Sequence, residues 1–308
     1  MEFLLKNQLQ NDPQVPKVEL CLWNGSEFTE KLSSSLKVPL NSYMNDPDPV
    51  LRNLYQYGVA FIDGVKPTQQ NTEFVVRQLF PIHKTFFGEM WTFSDSKDHS
   101  DTAYTNGIIN HSYLLNQFIE LCLCFFVEFL GPHNDGTYFN SAPGLQVLHC
   151  IQHTGTGGES LLIDGFYVCE KLKRENPEVF ERLCKTIVPG EYIEDGRHHT
   201  YNAPIINVDP ITGQLIQIRY NLYDRAPFNT VAIKNIRQFY SDLKCLTKEM
   251  EDPLNQHYYK LTPGTVMIFD NWRILHGRQV YTGKRTMTGC YVERTEFQSA
   301  VRSNGIID

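Results

Sequence analysis

The chain has 308 residues, of which 41% are hydrophobic and 20% are charged. This length is enough to bury a sizeable core, and it predicts one catalytic domain of about 200–250 residues with extra segments. The formal net charge of −7, without any run of Lys and Arg, argues against binding to nucleic acid or to an anionic membrane, because both favour basic patches.

Cysteine spacing indicates the redox compartment. The sequence contains 8 cysteines, none in a C-x-x-C pair or a zinc-finger spacing. Cys150, Cys169 and Cys290 lie in apolar or aromatic strings. They are therefore predicted to be free buried thiols, as in a reducing compartment.

The first part of the chain is weakly patterned. Residues 1–50 are polar and contain scattered prolines, and they are predicted to be a linker or the remnant of a truncated N-terminal domain. The opening residues resemble neither a secretory signal nor a transit peptide. The sequence thus shows no targeting segment, which leaves a cytoplasmic protein or an absent natural N-terminus open.

Regular periodicity begins near residue 51. Residues 51–57 predict a short helix, and the glycine-bounded residues 58–64 predict a strand. Residues 71–87 predict an amphipathic helix whose apolar side contains Phe74, Val75, Leu79 and Ile82.

An unusually apolar segment follows at residues 113–130. Its length is about that of the shortest membrane-spanning helices, roughly 17–25 residues. Asn116, Gln117, Glu120 and Glu128 interrupt it, and a charge near the centre of a membrane is costly. A buried helix, or a segment foreign to the working fold, is favoured over a membrane span. The domain is predicted to cover residues 51–308, with an atypical apolar insert at about 108–129.

From residue 131 onward, short strands with turn residues between them dominate. Strands are predicted near residues 144–151, 160–164, 190–194, 204–208, 214–220, 256–261, 265–269 and 286–292. Helices are predicted at about 166–173, 177–187 and 231–251. This order predicts a mainly β fold with flanking helices, namely a double-stranded β-helix or jelly roll.

Two distant motifs carry candidate metal ligands. His133 and Asp135 alternate by two, so on a strand both side chains would point to one face. His276 lies far along the chain, within Phe269–Arg278, and would complete a set of two histidines and one carboxylate. Such a facial triad leaves coordination positions open and is typical of non-heme iron(II) oxygenases.

An arginine follows this last histidine on a predicted strand. Arg285 lies nine residues after His276, with Gly283 between them to allow a hairpin. A strand-borne arginine beside a metal can hold a dicarboxylate by a bidentate contact. Ser160 is predicted to place a hydroxyl near the same carboxylate. A surface salt bridge is the alternative for Arg285.

Residues 131–295 resemble the iron(II)- and 2-oxoglutarate-dependent dioxygenases of carnitine biosynthesis. The matching strings are GPHNDGTYF, GLQVLHC, TGGESLLIDGF, DNWRILHGR and RTMTGCY, with FFGEMWTF and DTAYTNG upstream. This family contains activities on trimethyllysine and on γ-butyrobetaine. EYIED and IRYNLYDRAPFNTV are similar to the trimethyllysine branch.

The resemblance implies a cofactor set and its ligands. His133, Asp135 and His276 would hold iron(II), and 2-oxoglutarate and dioxygen would be co-substrates. Arg285, Ser160 and Leu148 would bind 2-oxoglutarate. Ascorbate would serve as the reductant. The expected reaction is hydroxylation of Nε-trimethyllysine at C-3, the first step of carnitine biosynthesis, with γ-butyrobetaine hydroxylation as the alternative.

The resemblance also implies substrate contacts. A quaternary ammonium cannot donate a hydrogen bond, so aromatic faces must hold it by cation–π attraction. Residues at the positions of the family's aromatic cage are Phe87, Trp91, Tyr104 and Tyr291, with phenylalanine at 87 where related sequences tend to carry tyrosine. Asn221 and Asp224 are expected at the amino-acid end of the substrate. For Asp224, a local ion pair with Arg225 is the alternative.

The insert at 108–129 separates Tyr104 from His133 by far more residues than the family pattern does. We expect either a translated splice or gene-model error, or a displaced Tyr104 in an impaired isoform that only binds metal. The family implies the mitochondrial matrix and leaves a homodimer open. The partners expected are a small-molecule substrate, with no nucleic acid and no membrane.

Overall fold

The computed structural model describes residues 18–29, 35–94, 129–194 and 196–307. Tyr104 and the apolar insert up to residue 128 therefore lie outside the described residues. Within the described ranges, no helix combines the length and apolar character needed to cross a membrane.

Two facing sheets form the centre of the fold. The larger sheet has the order β1-β2-β12-β5-β14-β3, formed by Lys37–Pro39, Val59–Asp63, Thr265–Asp270, Leu145–His153, Arg285–Val292 and Met90–Ser94. The smaller sheet has the order β11-β6-β13-β4, formed by His257–Tyr259, Ser160–Asp164, Ile274–Arg278 and Leu130–His133. All pairings are antiparallel except that of β1 with β2.

Side-chain alternation divides the larger sheet into two apolar faces. On the inner face, Cys150, Met267 and Met287 pack against Leu162 and Ile274 of the smaller sheet. The outer face contributes to a second cluster with the flanking helices, which includes Val147, Val266, Ile268, Cys290 and Val292. The mainly β architecture with flanking helices therefore agrees with the sequence.

Helices cover both outer surfaces. The described helices are α1 Gly25–Glu27, α2 Leu40–Asn45, α3 Asp48–Tyr57, α4 Gln69–Val76, α5 Gly165–Glu175, α6 Pro177–Lys185, α7 Ile233–Glu251 and α8 Arg294–Ser303, with a 3₁₀ turn at Pro253–Asn255. α5, α6 and α7 pack on Leu161, Ile163 and Leu275, on the outer face of the smaller sheet.

Two hairpins complete the described strands. β7 (Ile187–Glu194) pairs with β8 (Arg197–Pro204), and β9 (Ile206–Val208) pairs with β10 (Leu215–Ile218). The buried guanidinium of Arg219 donates to the carbonyls of Val188, Ala203 and Thr137, which ties the first hairpin to the loop after β4. This hairpin is thereby held beside the candidate site.

Helix α4 is shorter than the sequence predicts. It ends at Val76, not near residue 87, and Phe74 is 55% exposed although it was expected on the buried side. Pro81 disfavours helical geometry at the preceding residue, and the chain turns after α4. Val75 and Ile82 are buried as expected.

The described part of residues 1–50 contributes to the core. β1 pairs with β2, and Trp23, Phe28 and Leu36 are buried between the two sheets. Arg273 donates to the carbonyls of Cys21 and Gln56 and forms a fully buried ion pair with Asp164. These bonds fasten the segment to the centre of the fold, while a domain boundary at residue 50 stays a prediction.

The three cysteines expected to be buried are free. Cys150, Cys169 and Cys290 are buried and form no disulfide. Burial in apolar surroundings raises the pKa of each thiol, so they are inert packing residues at neutral pH.

Candidate metal centre

Two strands of the smaller sheet bring the candidate histidines together. His133 ends β4, His276 lies within β13, and the two are direct partners across the strand pair. Asp135 lies beyond the end of β4, in the following turn. The expectation that His133 and Asp135 alternate on one strand is therefore wrong, although both side chains still converge.

The three side chains present one ligand atom each to a common point. Oδ1 of Asp135 lies 3.3 Å from Nε2 of His133 and 3.6 Å from Nε2 of His276. All three candidate ligand atoms lie within 4.8 Å of one another. Both histidines are buried, and the carboxylate is partly exposed. This donor set fits iron(II), because two imidazoles and one carboxylate occupy one side of an octahedral ion.

A backbone hydrogen bond orients the first histidine. Nδ1 of His133 lies 2.9 Å from the carbonyl oxygen of Gly131, and a protonated Nδ1 donating this bond leaves Nε2 as the metal-facing lone pair. The amide of Gly131 in turn donates to the hydroxyl of Tyr223, whose ring lies edge-on to His133.

The charges in the cluster are tightly coupled. Burial by itself would raise the pKa of Asp135, but His276, His133 and the hydroxyl of Tyr291 hold it well below its usual range. Burial and the neighbouring His133 lower the pKa of His276 to about 3. Burial also opposes charge on His133, yet Asp135 outweighs it and raises that pKa. The cluster thus favours an ionised Asp135 beside a neutral His276, and metal binding requires His133 to be neutral as well.

Two of the four expected cage residues lie beside this cluster. The hydroxyl of Tyr291 donates to Oδ2 of Asp135 at 2.7 Å, and the ring of Trp91 lies 5.7 Å from that of Tyr291. Gly289 allows this arrangement, because a Cβ there would lie 2.3 Å from the Trp91 ring. The ring of Phe93 also stacks on that of Trp91, with a centroid distance of 5.6 Å. The inner face of β3 and β14 therefore carries an aromatic wall.

The other two cage positions are not joined to that wall by a described contact. Phe87 packs against Phe86 and lies edge-on to Tyr192, with centroid distances of 4.0 and 6.2 Å. The ring of Tyr192 also packs against Tyr138, which is buried. Phe87 thus belongs to a neighbouring aromatic cluster, and Tyr104 is outside the described residues.

Asn221 and Asp224 form a polar cluster that is tied to the backbone of the turn carrying Asp135, because Nδ2 of Asn221 also donates to the carbonyl of Asn134. Nδ2 of Asn221 donates to Oδ2 of Asp224 at 2.9 Å, and Thr137 donates to the same oxygen at 3.3 Å. Burial, followed by the charge of Asp135, raises the pKa of Asp224 to about 7. Among the described residues, Asp224 makes no ion pair with Arg225, whose guanidinium instead lies over aromatic rings that include Phe228.

The candidate 2-oxoglutarate residues lie on the inner faces of the two sheets. Arg285 is buried on β14. It is separated from Met287 and Tyr291 by an even number of residues, so its side chain lies on the same face of the strand, the face that points toward the smaller sheet. Leu148 pairs with Gly289 on the larger sheet. Ser160 is buried on β6 of the smaller sheet.

A second buried arginine was missed by sequence reasoning. Arg278 lies two residues after His276 on β13 and pairs with Ser160 across the sheet. Its guanidinium lies 4.5 Å from the ring of Tyr281, and that of Arg285 lies 5.6 Å from the same ring. The alternation of strand side chains could have identified Arg278, because residues two apart face the same side.

Comparison with protein families and curated proteins gives consistent results. The family model of the taurine catabolism dioxygenases, TauD and TfdA, matches residues 24–291. Human mitochondrial trimethyllysine dioxygenase is 36% identical over 313 residues, covering 99% of this chain and 69% of the relative. Human γ-butyrobetaine dioxygenase is 29% identical over 261 residues, covering 82% of this chain and 61% of the relative.

A solved structure confirms the fold class. A taurine dioxygenase from Burkholderia xenovorans superposes with a TM-score of 0.56 at 14% identity, covering 84% of this chain and 83% of that chain. At this identity the similarity concerns the fold alone. The jelly-roll core predicted from the sequence is thereby confirmed.

Proposed function

This chain belongs to the TauD/TfdA dioxygenase family, and we propose that it hydroxylates Nε-trimethyllysine at C-3 with iron(II), 2-oxoglutarate and dioxygen. The observation that carries the proposal is the convergence of His133, Asp135 and His276 directly beside the aromatic wall of Trp91 and Tyr291. A redox metal held by these ligands would thus lie beside a surface suited to a cation.

The role of the three metal ligands follows from their geometry. Bound iron(II) would supply the activation of dioxygen, driven by the oxidative decarboxylation of 2-oxoglutarate to succinate and carbon dioxide. His276 would offer a neutral imidazole and Asp135 a carboxylate that stays ionised at neutral pH, while His133 would release any proton on Nε2 when the metal binds. Both imidazoles are buried, whereas the carboxylate is partly exposed.

The inward-facing arginine supports a place for 2-oxoglutarate. Arg285 would pair with the distal carboxylate by a bidentate contact, helped by the hydroxyl of Ser160, and Leu148 would contact the aliphatic part. Arg278 adds a second buried cation on the opposite sheet. Two buried guanidiniums give this region a positive charge, which favours a dianionic co-substrate.

The polar and aromatic groups match the two ends of trimethyllysine. The aromatic wall would hold the trimethylammonium group by cation–π attraction. C-3 is bonded to the carbon that carries the amino group, so a carboxylate for that ammonium must lie close to the metal. Asp224 meets this condition, because Asp135 is near enough to raise its pKa. Asn221 would hold Asp224 in place or contact the substrate carboxylate.

The proposed substrate preference depends on Asp224. γ-Butyrobetaine has no α-amino group, so Asp224 would have no cationic partner in its complex. A buried carboxylate left without a partner weakens binding. We therefore favour trimethyllysine as the substrate. By similarity to the family, we also propose ascorbate as the reductant and the mitochondrial matrix as the location.

The test is the formation of succinate by the purified full chain with iron(II) and dioxygen. Trimethyllysine, γ-butyrobetaine or buffer is added, and the hydroxylated product is identified by mass spectrometry. We expect stimulation by trimethyllysine alone. His133→Ala should abolish it, while His257→Ala, at a buried histidine outside the metal cluster, should retain it.

Two results would contradict the proposal. Stimulation by γ-butyrobetaine without any by trimethyllysine would reassign the substrate. Binding of iron(II) without turnover of either compound would indicate an isoform that retains the metal site but has lost catalysis. The insert at residues 108–129 leaves this alternative open.

A further inference from the structure

We infer that Asn271 is a positioning residue that fixes the orientation of Asp135 and thereby the shape of the metal centre. The inference rests on the proposed metal site and deepens it. Asn271 lies at the connection between β12 and β13, while Asp135 follows β4, 136 residues away in sequence. A single side chain thus joins two parts of the chain that each carry metal ligands.

The amide of Asn271 pairs with both backbone groups of Asp135. Its Oδ1 accepts from the Asp135 amide at 2.9 Å, and its Nδ2 donates to the Asp135 carbonyl at 3.0 Å. Nδ2 also donates to the carbonyl of Pro143 at 2.9 Å. Because β4 has already ended at His133, this side chain replaces the hydrogen bonds that a neighbouring strand would otherwise provide.

A second asparagine fixes the peptide between the two ligands of the motif. The backbone amide of Asn134 donates to the carbonyl of Tyr220, and its Oδ1 accepts from the Tyr220 amide. Its Nδ2 donates to the carbonyls of Asn271 and Ile274, at 2.8 and 3.2 Å. Both asparagines are almost fully buried. The turn that carries Asp135 is therefore tied directly to the connection that leads into β13.

The third ligand belongs to the same assembly. His276 lies five residues after Asn271, at the centre of β13. A displacement of the β12–β13 connection would therefore move His276 and release Asp135 together. Asn271 is fully buried and its amide bonds the backbone of Asp135 and Pro143, so its effect on the metal would act through the backbone of Asp135.

The expected size of the effect follows from other metal sites. Removal of a group that orients a ligand typically lowers metal affinity by about 10–100-fold. Asn271→Ala leaves the Asp135 amide and two carbonyls without their partner, so some loss of stability must accompany it. A control is needed that loses a comparable buried amide elsewhere.

Asn255 provides that control. It is 2% exposed, and its Nδ2 donates to the carbonyl of Glu249 at 2.7 Å, near the end of α7.

Asn271→Asp supplies a second test variant, because it keeps the size and the acceptor for the Asp135 amide but loses both donated bonds. It remains informative if Asn271→Ala does not fold.

The experiment is an anaerobic titration of the full chain with Co(II), followed by visible absorption, at a temperature where circular dichroism shows folded protein. We expect Asn271→Ala and Asn271→Asp to weaken Co(II) binding by about 10–100-fold and to change the absorption spectrum at saturation. Asn255→Ala should keep the wild-type Kd and spectrum, even if its Tm falls as far as that of the Asn271 variants.

The inference is overturned if a folded Asn271 variant binds Co(II) within about threefold of the wild type with the same spectrum. It is equally overturned if Asn255→Ala loses as much affinity, because the loss would then reflect general destabilisation. Absence of Co(II) binding by the wild type would overturn the metal centre itself. Metal binding is measured without substrate, so a wrong substrate assignment leaves this test intact.

Discussion

The hydroxyl of Tyr291 lies 2.7 Å from Oδ2 of Asp135, while Oδ1 of the same carboxylate faces the two histidines. One carboxylate thus connects the aromatic wall on β14 with the metal cluster on β4 and β13. Because Tyr291 also contacts Trp91, the proposed position of the substrate cation and the orientation of a proposed metal ligand depend on the same side chain.

Tyr291→Phe should weaken metal binding while leaving the aromatic face in place. The hydroxyl helps to hold the pKa of Asp135 low, so its loss removes part of the stabilisation of the ionised carboxylate. We expect Co(II) affinity to fall by about tenfold. Tyr43→Phe removes a buried hydroxyl that donates to the carbonyl of Val75, and it should leave the affinity unchanged. Equal affinities in the two variants would contradict the assignment.

Trp91→Leu should impair recognition of the substrate's positive charge. The measurement compares KM for trimethyllysine with KM for its neutral isostere, in which carbon replaces the quaternary nitrogen. Loss of the π face should raise KM for the cation by roughly 2–30-fold relative to the isostere, which corresponds to about 0.5–2 kcal/mol. Phe80→Leu, in the outer core cluster, should leave this ratio unchanged. A parallel rise for both compounds would indicate altered packing only.

Arg285→Lys should raise KM for 2-oxoglutarate by at least about tenfold, because an ammonium keeps the charge but loses the bidentate contact. Arg278→Lys is expected to act in the same direction, since both arginines lie beside Tyr281. KM for trimethyllysine should change little. Arg237→Lys, on the exposed side of α7, is the control. An unchanged KM for 2-oxoglutarate in Arg285→Lys would place the distal carboxylate elsewhere.

Substrate binding should depend on the ionisation of Asp224. Its raised pKa of about 7 means that the carboxylate is increasingly protonated as the pH falls through neutrality, whereas the α-ammonium of the substrate stays charged. KM for trimethyllysine should therefore rise as the pH falls below about 7. In Asp224→Asn, KM should be high and independent of pH over this range. The same pH profile in both proteins would exclude Asp224 as the titrating group.

The buried ion pair between Arg273 and Asp164 should contribute strongly to stability. Both side chains are at most 1% exposed, and Nη2 of Arg273 lies 2.7 Å from Oδ2 of Asp164. Arg273→Met leaves the carboxylate without a cation and should lower the free energy of unfolding by about 3–5 kcal/mol. Arg77→Met removes a surface ion pair with Glu73 and should cost about 0–1 kcal/mol. Urea unfolding followed by circular dichroism distinguishes the two, and similar losses would contradict the argument.

Patterns within single segments of the sequence were sufficient to predict most of the helices and strands. Strands at residues 160–164 and 265–269 agree closely with β6 and β12, because their continuous apolar runs are buried on both faces. Pro177 correctly indicated the start of α6. The ends of elements were predicted less well, as α4 shows, because tertiary contacts and a following proline decide where a helix stops.

The sequence by itself indicated the chemistry of the site: two histidines, one carboxylate, one strand-borne arginine and aromatic residues at family positions. Only the tertiary structure decided how Asp135 reaches the metal, since its turn depends on an amide 136 residues away. It also decided that the guanidiniums of Arg278 and Arg285 both lie over the ring of Tyr281, and that the ring of Trp91 lies over Gly289. These relationships depend on strand register and on side chains far apart in the chain, and periodicity along one segment carries no information about either.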